Sequence, residues 1–135
     1  MKNVKQYYKE LGKVVCVLAK ADGSIQREEV DSLKQFVEKK LAMSEMESDS
    51  SGMNKAFYVD FEFDDESSRK SDTEAILKSF SSFVHRNFEP GDEKLIDQSI
   101  SLLQSVAQAY REGSEEVIIN LVKMEMRELS PQKNK

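Results

Sequence analysis

Apolar positions recur along the chain with two different periods, and the period sets the element expected at each stretch. From Val4 to Ala21 the apolar residues Tyr7, Tyr8, Leu11, Val14, Val15, Leu18 and Ala21 fall three or four apart, the spacing of one stripe on an amphipathic helix. A second helix is expected from about Gln26 to Leu41, with Val30, Leu33, Phe36, Val37 and Leu41 on its apolar face, packed as a hairpin against the first. Ser71-Asp72-Thr73-Glu74 has the form of a capping box, with Ser71 as cap and Glu74 reaching back. It opens a third helix that runs to about Asn87 and buries Ile76, Phe80, Phe83 and Val84. Glu89-Pro90-Gly91 turns the chain, and Asp92 caps a fourth helix from Glu93 to about Arg111, striped by Leu95, Ile96, Ile100, Leu103, Val106, Ala107 and Tyr110. A fifth helix carries Val117, Ile118, Leu121, Val122, Met124 and Leu129, and ends in the polar tail Ser130 to Lys135.

Between the second and third helices the pattern breaks. Residues 44–72 read as an insertion: Ser44 to Gly52 has the composition of a mobile loop, and Asp64 to Lys70 is a second polar loop. Phe57, Val59, Phe61 and Phe63 alternate with Tyr58, Asp60, Glu62 and Asp64, a period of two that predicts a short strand or extended segment. A lone strand leaves its backbone groups unpaired, so it must lie across the helices, pair with a second copy in a homodimer, or turn out helical. The whole insertion is expected to be separable: deleting Ser44 to Lys70 should leave the helices folded and remove association.

Charge adds to this picture unevenly. The chain of 135 residues carries 25 acids and 20 bases, a formal charge of −5. Nine of the acids and only three bases lie in residues 44–73, so the acidity belongs to the insertion, and no basic face of the kind nucleic acid requires is present. Lys5, Lys9 and Lys13 form a stripe on the first helix, read as a solvated face. Asp60, Glu62 and Asp64 are spaced like ligands on an extended chain, but no glycine or fourth ligand follows, and they too read as a solvated face. No run reaches the roughly 18 apolar residues of a membrane span, and Val14 to Ala19 is too short for a signal sequence, so the expectation is a cytoplasmic protein with no direct membrane insertion.

Candidate chemistry is sparse. Cys16 is the only cysteine and flanks the apolar stripe with no base placed to activate it, which suits a buried small hydrophobe. His85 is the only histidine, so a zinc site lacks ligands. There is no Gly-rich phosphate cradle, no Ser/His/Asp set and no Cys/His pair; the chain is not expected to be an enzyme. What stands out is Ala21-Asp22-Gly23-Ser24-Ile25-Gln26-Arg27-Glu28-Glu29-Val30, an acidic turn between two helices. Gly23 can end the first helix in the left-handed region, and Glu28 and Glu29 suit the first turns of the next, where the helix dipole favours negative charge. It is a poor calcium loop, because Leu18 and Lys20 would occupy two of the main ligand positions. A fainter copy follows the fourth helix: Glu112-Gly113-Ser114-Glu115-Glu116-Val117, with Asp replaced by Glu and the spacer lost.

A helix closing on Ala-Asp-Gly, then Ser-Ile and Glu28-Glu29-Val30, resembles the signature of the TerB-like domain, over about Leu11 to Leu33. That family takes its name from a tellurite-resistance protein and is also found at the front of a membrane-anchored J-domain cochaperone. The resemblance implies an all-α, single-domain helical bundle of two related hairpins spanning 1–135, with links to stress response and to membrane-associated protein complexes. It also implies divalent metal at acidic turns. If the halves pack about a pseudo-twofold axis, Asp22, Glu28 and Glu29 would converge with Glu112, Glu115 and Glu116 as hard oxygen ligands, fitting magnesium or calcium rather than zinc. The other reading of the same carboxylates is that they cap helices and bind no metal, leaving a structural or protein-interaction domain that docks partners through its acidic, aromatic insertion.

Overall fold

A computed structural model describes residues 1–21, 23–109, 119, 122 and 123. The fold is all-α, and no β-strand occurs among the described residues. In order come α1 (Val4–Lys20), α2 (Arg27–Phe36), a π-helical turn (Val37–Leu41) that runs into the short α3 (Ala42–Ser44), a 3-10 turn (Lys55–Phe57), α4 (Tyr58–Ser67), α5 (Thr73–Asn87) and α6 (Glu93–Ala109).

The first helix is the centre of the core. Its predicted stripe is buried from Tyr7 to Leu18, with Ala21 half-buried just past its end, but so are Glu10, Gly12, Cys16, Val17 and Ala19, so α1 is covered on nearly every side. A helix that is apolar over most of its circumference needs more than one partner, and α1 is flanked by α4, α5 and α6. The helix stops where the glycine allows it to: Gly23 sits at φ +113°, and its N–H donates to the Lys20 carbonyl at 2.9 Å. The second helix has a narrower stripe, with Leu33, Val37 and Leu41 buried, and packs along α6 rather than forming the expected hairpin with α1. Ser32 Oγ donates to the Ser105 carbonyl of α6 at 3.2 Å and lies 3.0 Å from Ser105 Oγ.

The largest departure from the sequence pattern is in the insertion. Phe57 to Phe63 is not extended: Tyr58–Ser67 is a helix. Two periods were superimposed on one stretch, and the helical one wins. Ala56, Val59, Phe63 and Glu66 are spaced three, four and three apart and form the buried stripe, whereas of the other members of the alternating set Phe57 is half-buried and Phe61 stays exposed. The stripe seats against α1 at Gly12. A Cβ built on Gly12 would lie 2.5 Å from the Val59 carbonyl oxygen and 3.0 Å from Glu62 Cβ, so the absence of a side chain is what lets the two helices approach. The Lys20 ammonium, at the end of α1, donates to the carbonyls of Glu66 (3.1 Å) and Arg69 (2.7 Å) and to Ser71 Oγ (3.0 Å), closing the C-terminus of α4. Ser71 is therefore not the cap of α5. That role falls to Asp72, whose carboxylate accepts from the Ala75 N–H at 3.1 Å.

Elsewhere the expectations hold closely. Phe80, Phe83 and Val84 are buried in α5, with Ile76 half-buried, and Ile96, Leu103, Val106 and Ala107 are buried in α6. Ile119 and Val122 are buried as well. The rest of the fifth predicted helix and the second acidic turn lie outside the described residues, and so does the comparison of two hairpins.

Two measurements check this packing. Alanine at position 12 gains about 1 kcal/mol of helix propensity over glycine, but overpacking against a backbone carbonyl costs about 1–3 kcal/mol. Gly12→Ala should therefore lower the unfolding midpoint despite the better propensity, and Gly12→Val should lower it further; an unchanged midpoint for both would mean α4 does not pack here. Because Val59 and Phe63 are fully buried against α1, deleting residues 44–70 should abolish cooperative unfolding rather than spare the helices, and Phe63→Ala alone should cost about 3–5 kcal/mol in denaturant titration.

Candidate functional site

Of the six carboxylates expected at acidic turns, two are described. Glu28 is exposed in the first turn of α2, whereas Glu29 beside it is fully buried. One Glu29 oxygen accepts from the Gln26 N–H at 2.8 Å, the reach-back arm of a capping box. Neighbouring helical residues point about 100° apart, so these two side chains enter different environments and do not converge. Asp22, Glu112, Glu115 and Glu116 lie outside the described residues. Among the described residues no group of three or more His, Cys, Asp or Glu is arranged to hold a metal ion.

The other single-residue candidates fall where the sequence put them. Cys16 is buried, and burial pushes its thiol up to about 11, which keeps it protonated and unreactive at neutral pH. His85 is exposed on α5. No helix among the described residues is long and apolar enough to cross a membrane.

A different surface emerges from residues 43–65. The segment after α3 is not a floppy loop but a closed one, organised by Asp49. Its carboxylate accepts from Ser51 Oγ (2.7 Å), Ser51 N–H (2.9 Å), Met53 N–H (3.0 Å) and the Tyr58 hydroxyl (2.7 Å). Ser48 and Asn54 pair as an isolated antiparallel bridge, and the Asn54 amide donates to the carbonyls of Ala42 (2.9 Å) and Glu45 (3.2 Å). The entry to the loop is tied to the core by the buried Tyr8, whose hydroxyl donates to Glu45. The Ser51 hydroxyl, then the Tyr58 hydroxyl, hold the Asp49 carboxyl well below the usual carboxylate range.

On this frame sit large apolar side chains that have no place in the core. Met43, Met46, Met53 and Phe61 are 79%, 93%, 37% and 47% exposed, and they are the exposed large hydrophobics among the described residues. Phe61 packs edge-on to Tyr58, ring centroids 5.7 Å apart, and Tyr58 reaches Asp49, so a strip of Phe61, Tyr58 and Asp49 links α4 to the loop that carries Met46 and Met53. Lys5 Nζ lies over the Tyr58 ring at 4.7 Å. Sequence reasoning singled out the aromatic part of this strip but passed over the methionines. The available signal was three methionines scattered through a Ser/Glu-rich run with no apolar periodicity to bury them.

The comparisons with known proteins return nothing that names this surface: no family model matches the chain, and neither a curated protein nor a solved structure matches it. The TerB-like resemblance thus rests on Leu11 to Leu33 alone.

Two variants separate the structural roles of these carboxylates. Losing the Glu29 cap should cost about 1–3 kcal/mol through the unsatisfied Gln26 N–H. Glu29→Ala should show the same loss after chelation as with millimolar magnesium or calcium; a loss seen only with the cation present would make Glu29 a ligand. For Asp49 the folded pKa is depressed, so its contribution is present above the ordinary carboxylate pKa of about 4 and is lost as pH falls below it. Asp49→Asn should flatten the decline of stability between about pH 5 and pH 2.5 and speed amide exchange at Ser51 and Met53; an unaltered slope would mean the loop draws nothing from this charge.

Proposed function

We propose that this chain is a non-catalytic helical interaction module that docks another protein through the methionine, aromatic and acidic face of residues 43–65. The observation that carries the reading is the concentration of exposed large apolar side chains on one ordered segment. Single exposed hydrophobics are ordinary, but a cluster fixed on a hydrogen-bonded frame is what an interaction site needs. Methionine is flexible and polarisable, and adapts to a partner's shape at little strain. The buried thiol of Cys16 and the separation of Glu28 from Glu29 offer no nucleophile and no carboxylate pair for catalysis. The TerB-like stretch from Leu11 to Leu33 supports a role in a stress-response or membrane-associated assembly, with a divalent cation entering only if the Glu29 measurement reveals one.

A photo-crosslinking residue tests this reading in cells expressing the full chain. Placed at Met46 it should yield a discrete adduct that disappears when Phe61→Ser is added, while the same residue at exposed Arg27 yields none. Adducts of equal strength from both positions, or none from Met46, would count against this face.

A further inference from the structure

Taking the interaction-module reading as its base, we propose that the partner element is a basic amphipathic segment of a protein, whose apolar side chains seat on Met43, Met46, Met53 and Phe61 while its lysines and arginines meet the surrounding carboxylates.

The apolar strip fixes half of this description and the charge around it fixes the other half. Residues 45–66 contribute Glu45, Glu47, Asp49, Asp60, Glu62, Asp64, Asp65 and Glu66 against the single base Lys55. Neighbouring elements return four more cations: Lys34 pairs with Asp60 at 2.9 Å, Arg69 with Asp65 at 2.6 Å, Lys5 covers the Tyr58 ring, and Lys20 sits at the carbonyls of Glu66 and Arg69. Lys55 itself pairs with Glu47 at 2.8 Å. A surplus of three negative charges remains. Its members can be named. Glu45 and Asp49 accept only uncharged donors, and Glu62, next to Phe61 on α4, is in no ion pair among the described residues.

This arrangement discriminates among partner classes. A nucleic-acid backbone or an anionic lipid surface would be repelled by the uncompensated carboxylates, so the methionines are not placed for either. An acidic or neutral apolar segment could use the strip but would bring no positive charge to Glu45, Asp49 and Glu62, whose charge would be desolvated uncompensated. A basic segment with apolar residues at helical spacing satisfies both sets at once, and methionine tolerates different apolar anchors on the same surface. Rim charges of this kind chiefly raise the association rate and make it fall with added salt.

The test uses the full chain and three synthetic 16-residue peptides sharing leucines at positions i, i+3, i+4 and i+7, with lysine, glutamine or glutamate at every other position, titrated by fluorescence anisotropy. The lysine peptide should bind at least tenfold more tightly than the glutamine peptide, the glutamate peptide should bind weakest, and the advantage of lysine should shrink as salt rises. Met46→Ser with Phe61→Ser should weaken the lysine peptide at least tenfold, and Glu62→Gln should weaken it severalfold with an unchanged unfolding midpoint. Glu28→Gln with Glu74→Gln, exposed acids on α2 and α5, should leave binding unaltered. If the glutamine peptide binds as tightly as the lysine peptide and is still lost in Met46→Ser/Phe61→Ser, the basic partner is wrong and the docking face stands. If the lysine peptide binds but the remote variant weakens it as much as the face variant does, the attraction is diffuse and the proposal falls. If none of the peptides binds, the basic-segment proposal falls; should the crosslinker at Met46 also give no adduct, the interaction reading falls with it.

Discussion

The approach of α1 to α4 at Gly12 is the constraint on which the placement of the exposed face depends. Two helices normally keep their axes about 8–10 Å apart because side chains stand between them. Here one of them presents a hydrogen where a side chain would be, and the Val59 carbonyl occupies the space. That contact sets the rotation of α4 about its own axis. With Val59 and Phe63 turned to the core, residues about half a turn away must turn outward, and Phe61 is among them. Lys20 and Lys5, both from α1, then hold the two ends of α4, one at the carbonyls of Glu66 and Arg69 and one over the Tyr58 ring.

The position of α4 in turn organises the loop before it. Tyr58 is delivered next to Asp49, and Asp49 gathers donors from Ser51 and Met53 as well. Fixing a residue's backbone costs about 1–2 kcal/mol, while a hydrogen bond returns about 0.5–1.5 kcal/mol net, so a polar loop of this length is ordered only if most of its groups find partners. The bonds to Asp49 and Asn54 supply that density. Order without burial is the notable outcome, since Met46 and Met43 are held on a defined frame yet left in solvent, an arrangement from which the fold itself gains little.

How much of this was readable beforehand follows from which signals compete. The stripes of α1, α5 and α6 are long and unambiguous, and Phe80, Phe83, Val106 and Leu103 went where the period of 3.6 sends them. Gly23 marked a helix boundary for the reason that glycine usually does, a permitted positive φ, whereas Asp92 stands before α6 with its carboxylate accepting from the Glu89 N–H and its carbonyl accepting from Ile96. From Ala56 to Glu66 the alternation of Phe57, Val59, Phe61 and Phe63 concealed the longer spacing of Ala56, Val59, Phe63 and Glu66, whose last member is a carboxylate and does not register as apolar. Tertiary contact with Gly12 decided between the two periods, and no local signal encodes that contact. The pairing of α2 with α6 was hidden in the same way, because nearness in sequence favours the hairpin while the breadth of the apolar surface on α1 calls for other neighbours. At the acidic turn, the pattern Glu28-Glu29 looked like one cluster; in the helix, adjacent residues diverge, and the capping requirement drew Glu29 inward alone.

The acids of α4 remain to be accounted for. Its last turn contains Asp64, Asp65 and Glu66, three carboxylates at the end of a helix where the macrodipole is already negative. Each such charge opposes helix formation by about 0.3–1 kcal/mol when exposed. The fold offsets part of this with Lys20 at the terminal carbonyls and Arg69 against Asp65, and offsets Asp60 with Lys34. Neutral residues at the exposed Asp64 and Asp65 would spare the helix that opposition. The exposed Asp64 and Asp65 thus gain their helix little, in contrast to Asp60, which lies in its first turn and pairs with Lys34, to the buried Glu66, which accepts from Ser71 Oγ, and to Asp49, Asp72 and Glu29, whose carboxylates each satisfy backbone donors. A charge that burdens its own helix and borders the exposed Phe61 is better explained by what approaches that surface than by what lies beneath it.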